Sequence, residues 1–481
     1  MISLRINYLV YCTILMLFFA CSPDATDPLD PKYEPIEVKE EDDEVEEEGE
    51  AEFDGESFTI NVTDRKTINP LIFGMNNDWR QIPGSRFTDF SQEYKTLGGQ
   101  LLRFPGGWES EFYDWETNTT PNWDNKPDQP GADIDLVKSN IDNVSIVLPT
   151  TLAMNHALNS SQFVEALSEL KNTARTALDM VGVDDVGIVE IGNEWWLQYA
   201  GGVSRSEKLK KYSVIAMNIA EFIGEEFPDR NFKLLINGDY TRPSEFTDIK
   251  NNFTSAYDKI DGVALHTYVG YETESHNMAD LEQRIIQSAD NFNSEKNFVY
   301  LSEWMPSRDY NERRLYMEAA NIIPDIFQIY ALSNVDAAAF WPPVNSSIPG
   351  VGVFSWNFSK VFPVGQIFSE LSSNFKGQVV RTTDGEFKIT AALQDESTLV
   401  VYIPGKDKSA TNIQLQFQGF NVQNIASAQK FIPHNYSETD IAEPYKTTDA
   451  TVSLIDQEIM FQINNEGPYE IFKLVLKGNL Q

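Results

Sequence analysis

Val186-Gly187-Ile188-Val189-Glu190-Ile191-Gly192-Asn193-Glu194 is an apolar run of strand length that stops abruptly at glycine, asparagine and glutamate. Phe298-Val299-Tyr300-Leu301-Ser302-Glu303-Trp304 is built the same way. Working outward from these two, further apolar runs occupy 71–77, 100–104, 145–152, 233–237, 262–268 and 337–341, making eight with 186–192 and 298–304. The segments between them carry helical spacing, as in Phe163, Leu167, Leu170 and Ala174, or Tyr212, Ile215, Ile219 and Phe222. Continuous apolar strands alternating with helices indicate a parallel sheet covered by helices. Eight such units in roughly 280 residues predict an α/β fold, a closed (β/α)8 TIM barrel over 69–371. An open doubly wound sheet would want a glycine-rich phosphate loop after its first strand, and Phe73-Gly74-Met75-Asn76-Asn77 does not supply one.

The polar strand ends are the informative part. The apolar runs finish in Asn76-Asn77, Arg103, Asn193-Glu194, His266-Thr267-Tyr268, Glu303-Trp304 and Trp341. In a barrel of this kind the C-terminal strand ends share one mouth. A glutamate following an apolar strand core is costly to bury unpaired. Glu194 and Glu303, on the fourth and seventh strands, are therefore the expected catalytic pair.

From about 372 the pattern changes to short β-type runs at 386–391, 399–403, 412–417, 452–454, 459–463 and 469–476, with turns such as Pro404-Gly405. This predicts an antiparallel β-sandwich over 372–481. The alternating run 58–62, within 57–68, is expected to add a strand to it.

The N-terminus reads as an export signal. Arg5 precedes the apolar run 8–20, too short to span a bilayer comfortably. Leu17-Phe18-Phe19-Ala20-Cys21 resembles a bacterial lipobox, which implies removal of 1–20 and acylation of Cys21. Cys12 is the other cysteine of the two, so the mature chain keeps no free thiol for a disulfide, a metal site or a nucleophile. Residues 21–56 form an acidic tether, in which 17 acidic residues face only Lys32 and Lys39. Such a segment cannot bury enough apolar surface to fold. Asp24 and Asp27 resemble the surface-export signal of Bacteroidetes lipoproteins, implying an outer-membrane lipoprotein exposed at the cell surface, held to the membrane by its lipid alone. The net charge of −36 argues against a nucleic-acid or anionic-lipid partner, and no basic stripe appears.

Two carboxylates about 5 Å apart across a glycosidic bond suffice for hydrolysis with retention of configuration. Arg103 and Tyr268 are placed to hold the nucleophile, and Asn193 to bond a sugar hydroxyl. Trp195, Trp196, Trp304 and Trp341 offer ring faces on which sugars stack. Arg103 has the duller alternative of a structural ion pair, and His266 that of a satisfied core histidine. His156 and His276 read as loop or helix residues. No histidine–carboxylate spacing in the sequence suits a metal, so neither metal nor cofactor is expected.

These motifs resemble glycoside hydrolase clan A. Ile191-Gly192-Asn193-Glu194-Trp195 is similar to its fourth-strand acid/base motif and Leu301-Ser302-Glu303-Trp304 to its seventh-strand nucleophile motif. His266-Thr267-Tyr268 is similar to its sixth-strand motif, and Trp341 to its eighth-strand tryptophan. The resemblance implies Glu194 as general acid/base, Glu303 as nucleophile and Asn193 on the hydroxyl beside the anomeric carbon. Within the clan, Asn69-Pro70-Leu71-Ile72-Phe73-Gly74 and Gly98-Gly99-Gln100-Leu101-Leu102-Arg103-Phe104-Pro105-Gly106-Gly107 resemble family 51 α-L-arabinofuranosidases. Trp108 stands where that family has an arabinose-holding asparagine, and Asn76, Asn77 and Asp78 follow the glycine where it has a substrate-binding glutamate.

Three functions follow as expectations. One is an exo-acting α-L-arabinofuranosidase. Another is an endo-acting agarase-, porphyranase- or xylanase-like hydrolase of a plant or algal polysaccharide, favoured by Trp108 and the aromatic loop 109–123. The third is a non-catalytic surface glycan-binding lipoprotein, against which the intact pair Glu194 and Glu303 argues. The expected substrate-binding set is Arg103, Trp108, Asn193, His266, Tyr268, Trp304, Trp341 and Asn77.

Overall fold

A computed structural model describes residues 53–481 except 80, 120–130, 199–202, 271–276, 296, 307–314, 345–351, 384–387, 407–408 and 435–442. The leader, Cys21, most of the acidic stretch, Trp123 and His276 lie outside the described residues.

After β1 (Glu56–Thr67) come β2 (Gly74–Asn76), β3 (Leu101–Phe104), β4 (Val144–Leu148), β5 (Val186–Ile191), β6 (Lys233–Asp239), β7 (Gly262–Val269), β8 (Phe298–Pro306) and β9 (Ala337–Phe340). β2 through β9 pair in chain order, and β2 pairs in parallel with β9 to close the barrel. The barrel interior is layered as strand alternation requires. Leu101, Ile188, Leu235, Ala264, Tyr300, Ala337 and Ala339 form its buried apolar layer. Two residues further along their strands stand Arg103, Glu190, Asn237, His266 and Ser302, all buried.

The two longest outer helices are amphipathic and capped by a side chain at their N-termini. Ser161–Val181 buries Phe163, Ala166, Leu170, Ala174 and Ala177, and the Ser160 hydroxyl accepts the Phe163 N–H at 3.1 Å. Arg205–Glu226 begins with a reciprocal capping box between Ser204 and Glu207. Two strands are markedly shorter than the sequence expectation. The run 145–152 stops as a strand at Leu148, because Pro149 has no N–H to continue the ladder and Thr151–Met154 is helical. In 71–77 only Gly74–Asn76 is strand, since Pro70–Ile72 is a 3-10 turn capped by the Asn69 side chain.

The C-terminal part supplies β10 (Gln378–Thr382), β11 (Thr390–Asp395), β12 (Thr398–Pro404), β13 (Thr411–Gln418), β14 (Phe420–Ile432), β15 (Lys446–Asp449), β16 (Ser453–Ile455), β17 (Glu458–Ile463) and β18 (Ile471–Leu480). With β1 they form one ten-stranded ribbon in the order β15-β14-β18-β12-β11-β10-β1-β13-β17-β16. β1 is antiparallel to β10 and parallel to β13. The ribbon folds over on itself. Phe461 of β17 stacks on Phe472 of β18 with ring centroids 4.0 Å apart, although five strands separate them in the hydrogen-bonded order. Phe58, Ile60, Val62, Leu399, Val401 and Ile413 belong to the core so enclosed. The opposite faces of β10, β11, β12 and β18 bury Val379, Ala392, Val400, Tyr402 and Ile471 in the barrel's own core. β12 is thus covered on both sides, which is why it reads as an unbroken apolar run. Gln328 joins the two parts, donating to Val380 O at 2.9 Å and accepting from Ala391 N at 3.2 Å.

β14 is a long strand that the sequence reading passed over. It is mostly half-exposed and its register against β18 slips twice, so Phe420–Ile432 shows no sustained alternation. Among the described residues, no helix is long and apolar enough to cross a membrane.

Candidate active site

Arg103 organises the barrel mouth. It is fully buried, and its guanidinium donates in four directions: Nε to Glu190 Oε2 at 2.8 Å, Nη1 to Asn76 Oδ1 at 2.9 Å and Glu303 Oε1 at 2.8 Å, and Nη2 to Asn193 Oδ1 at 2.8 Å. Burial opposes its charge, but Glu190 and Glu303 outweigh this and hold its pKa above the ordinary arginine value. A planar fork that reaches four acceptors from three strands cannot be replaced by a lysine point charge. Asn76 is itself held, donating to Ser302 O at 2.9 Å and Ala339 O at 3.1 Å.

Glu190 lies at the centre of the interior. Its Oε1 accepts from Asn237 Nδ2 at 2.6 Å and Ser302 Oγ at 2.9 Å, so both carboxylate oxygens are satisfied. Asn237 also accepts the Glu194 N–H on Oδ1 at 2.9 Å. Sequence reasoning missed Glu190 and Asn237, although a carboxylate inside an apolar strand was a legible signal. It missed Glu111 too, which ends a short 3-10 helix and carries no such signal.

Glu194 and Glu303 come together around His266. His266 Nδ1 lies 3.1 Å from Glu194 Oε1 and 3.4 Å from Glu303 Oε2. Tyr268 donates its hydroxyl to Glu303 Oε2. Burial works against the charge of His266, but Glu303 and then Glu194 overcome it, so its pKa is raised despite the opposing Arg103. Glu194, His266 and Glu303 each offer one ligand atom, all within 4.8 Å of one another. A metal could draw on these three atoms, a grouping that sequence spacing cannot show because they come from three strands. The Arg103 cation 2.8 Å from Glu303 acts against a dication there.

The strand β8 achieves this with a bulge. Its pairing with β7 runs from Ala264↔Tyr300 to His266↔Glu303, adding one residue on the β8 side. Alternation from Tyr300 and Ser302 would turn Trp304 inward and Glu303 outward. The extra residue reverses this and aims Glu303 at Arg103. Trp304 therefore corrects a sequence expectation: it is fully buried between Phe327, Tyr330 and Phe340, with no face for a sugar. Trp195 is likewise buried, stacked on Tyr212 with its Nε1 on Asn237 O.

The remaining predicted residues are dispersed around the mouth. Trp341 is half-buried against Gly107, where an added Cβ would lie 2.4 Å from the ring, so only glycine permits this approach. Trp108 is half-buried with its ring edge-on to Phe112 at 5.5 Å. Trp196 is half-buried, edge-on to His266 at 5.8 Å. Asn77 is fully buried and donates to Pro105 O at 3.0 Å, while its Oδ1 has no partner. Asn193 Nδ2 is also buried without a partner. A cavity of about 930 Å³ lies elsewhere, between barrel helices and β-domain, lined by Glu282, Asp325, Arg381, Lys406 and Tyr469 among others. It contains neither Glu194 nor Glu303, whose carboxylates converge at the barrel mouth instead.

No protein-family model and no curated protein matches the sequence. Solved structures do match. The family 51 α-L-arabinofuranosidase AbfB from Bifidobacterium longum is 12% identical at a TM-score of 0.61, over 87% of this chain and 99% of that one. The α-L-arabinofuranosidase of Thermotoga maritima, in complex with arabinose, is 14% identical at 0.61, over 88% and 99%. A family 30 endoxylanase from Clostridium papyrosolvens is 14% identical at 0.56, over 88% and 100%. Likeness at these identities is likeness of fold: the chain has the closed parallel barrel and separate, mainly antiparallel β-domain of these glycoside hydrolases.

Proposed function

We propose that the protein is a retaining glycoside hydrolase of clan A type, with Glu194 as general acid/base and Glu303 as nucleophile. The observation that carries this is the approach of one carboxylate oxygen of each to within 4.8 Å of the other. Retaining enzymes place the pair about 5–5.5 Å apart, whereas inverting enzymes need roughly 6.5–9.5 Å to admit a water. The roles follow from the surroundings. The Glu303 side chain is 4% exposed and fixed by Arg103 and Tyr268, as attack on an anomeric carbon requires; that of Glu194 is 20% exposed and can exchange protons with solvent. Glu194 protonates the departing glycosidic oxygen while Glu303 bonds to the anomeric carbon. A water that gives its proton to Glu194 then displaces Glu303. Asn193 Nδ2, buried and unpartnered, is a donor available to the hydroxyl beside that carbon.

The substrate in this reading is a plant or algal polysaccharide or its oligosaccharides. The half-buried ring of Trp108 in place of an asparagine favours an endo-acting enzyme of agarase, porphyranase or xylanase type. Fold likeness to family 51 supports the alternative, an exo-acting α-L-arabinofuranosidase. A purely glycan-binding protein leaves the opposed carboxylates without a purpose. Acylation at Cys21 would tether the enzyme to the outer membrane, at its outer surface. The test is a panel of polysaccharides and aryl glycosides with product sizes read by chromatography. Release of single sugars supports exo action, a ladder of oligosaccharides endo action, and no release from any member contradicts the hydrolase reading.

A further inference from the structure

Glu111 ends the 3-10 helix Gly107–Glu111 that follows β3, and it is 5% exposed. Its carboxylate accepts three backbone N–H groups: Thr150 at 2.6 Å and Thr151 at 2.8 Å, just beyond β4, and Asn193 at 2.5 Å, just beyond β5. The Thr150 hydroxyl adds a fourth contact at 3.2 Å. Among the described residues no cation pairs with it. Burial pushes its pKa up, and the backbone donors pull it back only in part. A carboxylate kept in such a place is costly unless its hydrogen bonds do something a neutral side chain cannot.

What they hold is a strained turn. Glu194 has φ 46°, a left-handed conformation that glutamate keeps only when its surroundings impose it. The residue before it is fixed on both sides: the Asn193 N–H is bound by Glu111, and the Asn193 carbonyl accepts from Gln198 Nε2 at 2.7 Å. We infer that Glu111 is a positioning residue, whose carboxylate pins the Asn193-Glu194 turn to the end of β4 and keeps the Glu194 carboxyl facing His266 and the cleft. This deepens the proposed function and rests on Glu194 being the proton donor. Glu303 is held independently by Arg103 and Tyr268, so loosening the turn impairs proton donation and leaves nucleophilic attack intact.

Glu111→Gln replaces one acceptor oxygen with an N–H2 that faces backbone donors, at nearly unchanged volume. The test compares it with the unaltered protein on phenyl and 2,4-dinitrophenyl glycosides of the sugar released in the panel. Amide hydrogen exchange across 150–194 is measured alongside. With phenol, which needs protonation to leave, kcat/KM is expected to fall about 50-fold; with dinitrophenol, which does not, less than about 5-fold. Exchange at Thr150, Thr151 and Asn193 is expected to quicken. Equal losses on both glycosides, or unchanged exchange, would overturn the inference. Glu111→Asp, which keeps the charge on a shorter arm, is expected to show the same leaving-group split to a smaller degree and serves if the glutamine variant does not fold. If no glycoside is cleaved at all, the hydrolase reading fails, while the exchange data still decide whether Glu111 pins the turn.

Discussion

Arg103 and Glu303 form an ion pair at 2.8 Å with almost no access to solvent, and the same guanidinium also binds Glu190 and Asn193. A buried pair adds little stability compared with an apolar substitute, but removing one partner strands the other's charge. Arg103→Met leaves both Glu190 and Glu303 without their cation. We expect a loss of about 3–5 kcal/mol in urea unfolding together with loss of activity. Arg103→Lys should recover part of the stability but little of the activity, because one ammonium cannot reach four acceptors.

Tyr268→Phe removes only the hydroxyl that donates to Glu303. A hydrogen bond to a charged group is worth about 1.5–3 kcal/mol. Turnover is expected to fall roughly 10- to 100-fold. The melting temperature should fall by no more than several degrees, and a steady-state comparison alongside a thermal melt checks both.

Trp304 and Trp341 should separate cleanly. Trp304→Ala opens a cavity in the core and is expected to cost about 3–5 kcal/mol while leaving KM unchanged in whatever fraction stays folded. Trp341→Ala, at a half-buried ring beside Gly107, should raise KM with a smaller effect on stability. Unfolding curves and KM measured on the same two variants decide this.

His266 supplies a pH signature. Its folded-state pKa is raised above the ordinary value of 6.5, by Glu303 and Glu194 against the cost of burial. Its stabilising contribution is therefore complete below that value and is lost as pH rises through the higher folded-state value. The stability gap between the unaltered protein and His266→Gln should shrink as pH is raised from about 6 to about 9. Urea midpoints across that range test the sign.

Much of the fold was legible because its signals are local. Each barrel strand carries its own apolar run and polar end, so counting strands required no knowledge of contacts. The carboxylate pair was visible for the same reason, as Glu194 and Glu303 each terminate such a run. What could not be read depends on geometry between strands. The bulge in β8 that turns Glu303 inward and Trp304 outward leaves no mark on composition, and it made Trp304 look like a sugar platform. Glu111 reaches from a short 3-10 helix to two strand ends distant in sequence. β14 was missed because a half-exposed edge-like strand with register slips has no period to detect.

Glu303→Ala and Glu194→Gln should each reduce turnover by about a thousandfold or more. Glu194→Gln should melt within a few degrees of the unaltered protein, and Glu303→Ala should lose less stability than Arg103→Met because Glu190 still pairs with the buried guanidinium. The more direct measurement is proton NMR of the first sugar released, recorded before mutarotation. Double displacement through Glu303 predicts that the anomeric configuration of the substrate is retained in that product. A first product of inverted configuration would contradict the assignment of Glu194 and Glu303 as acid/base and nucleophile.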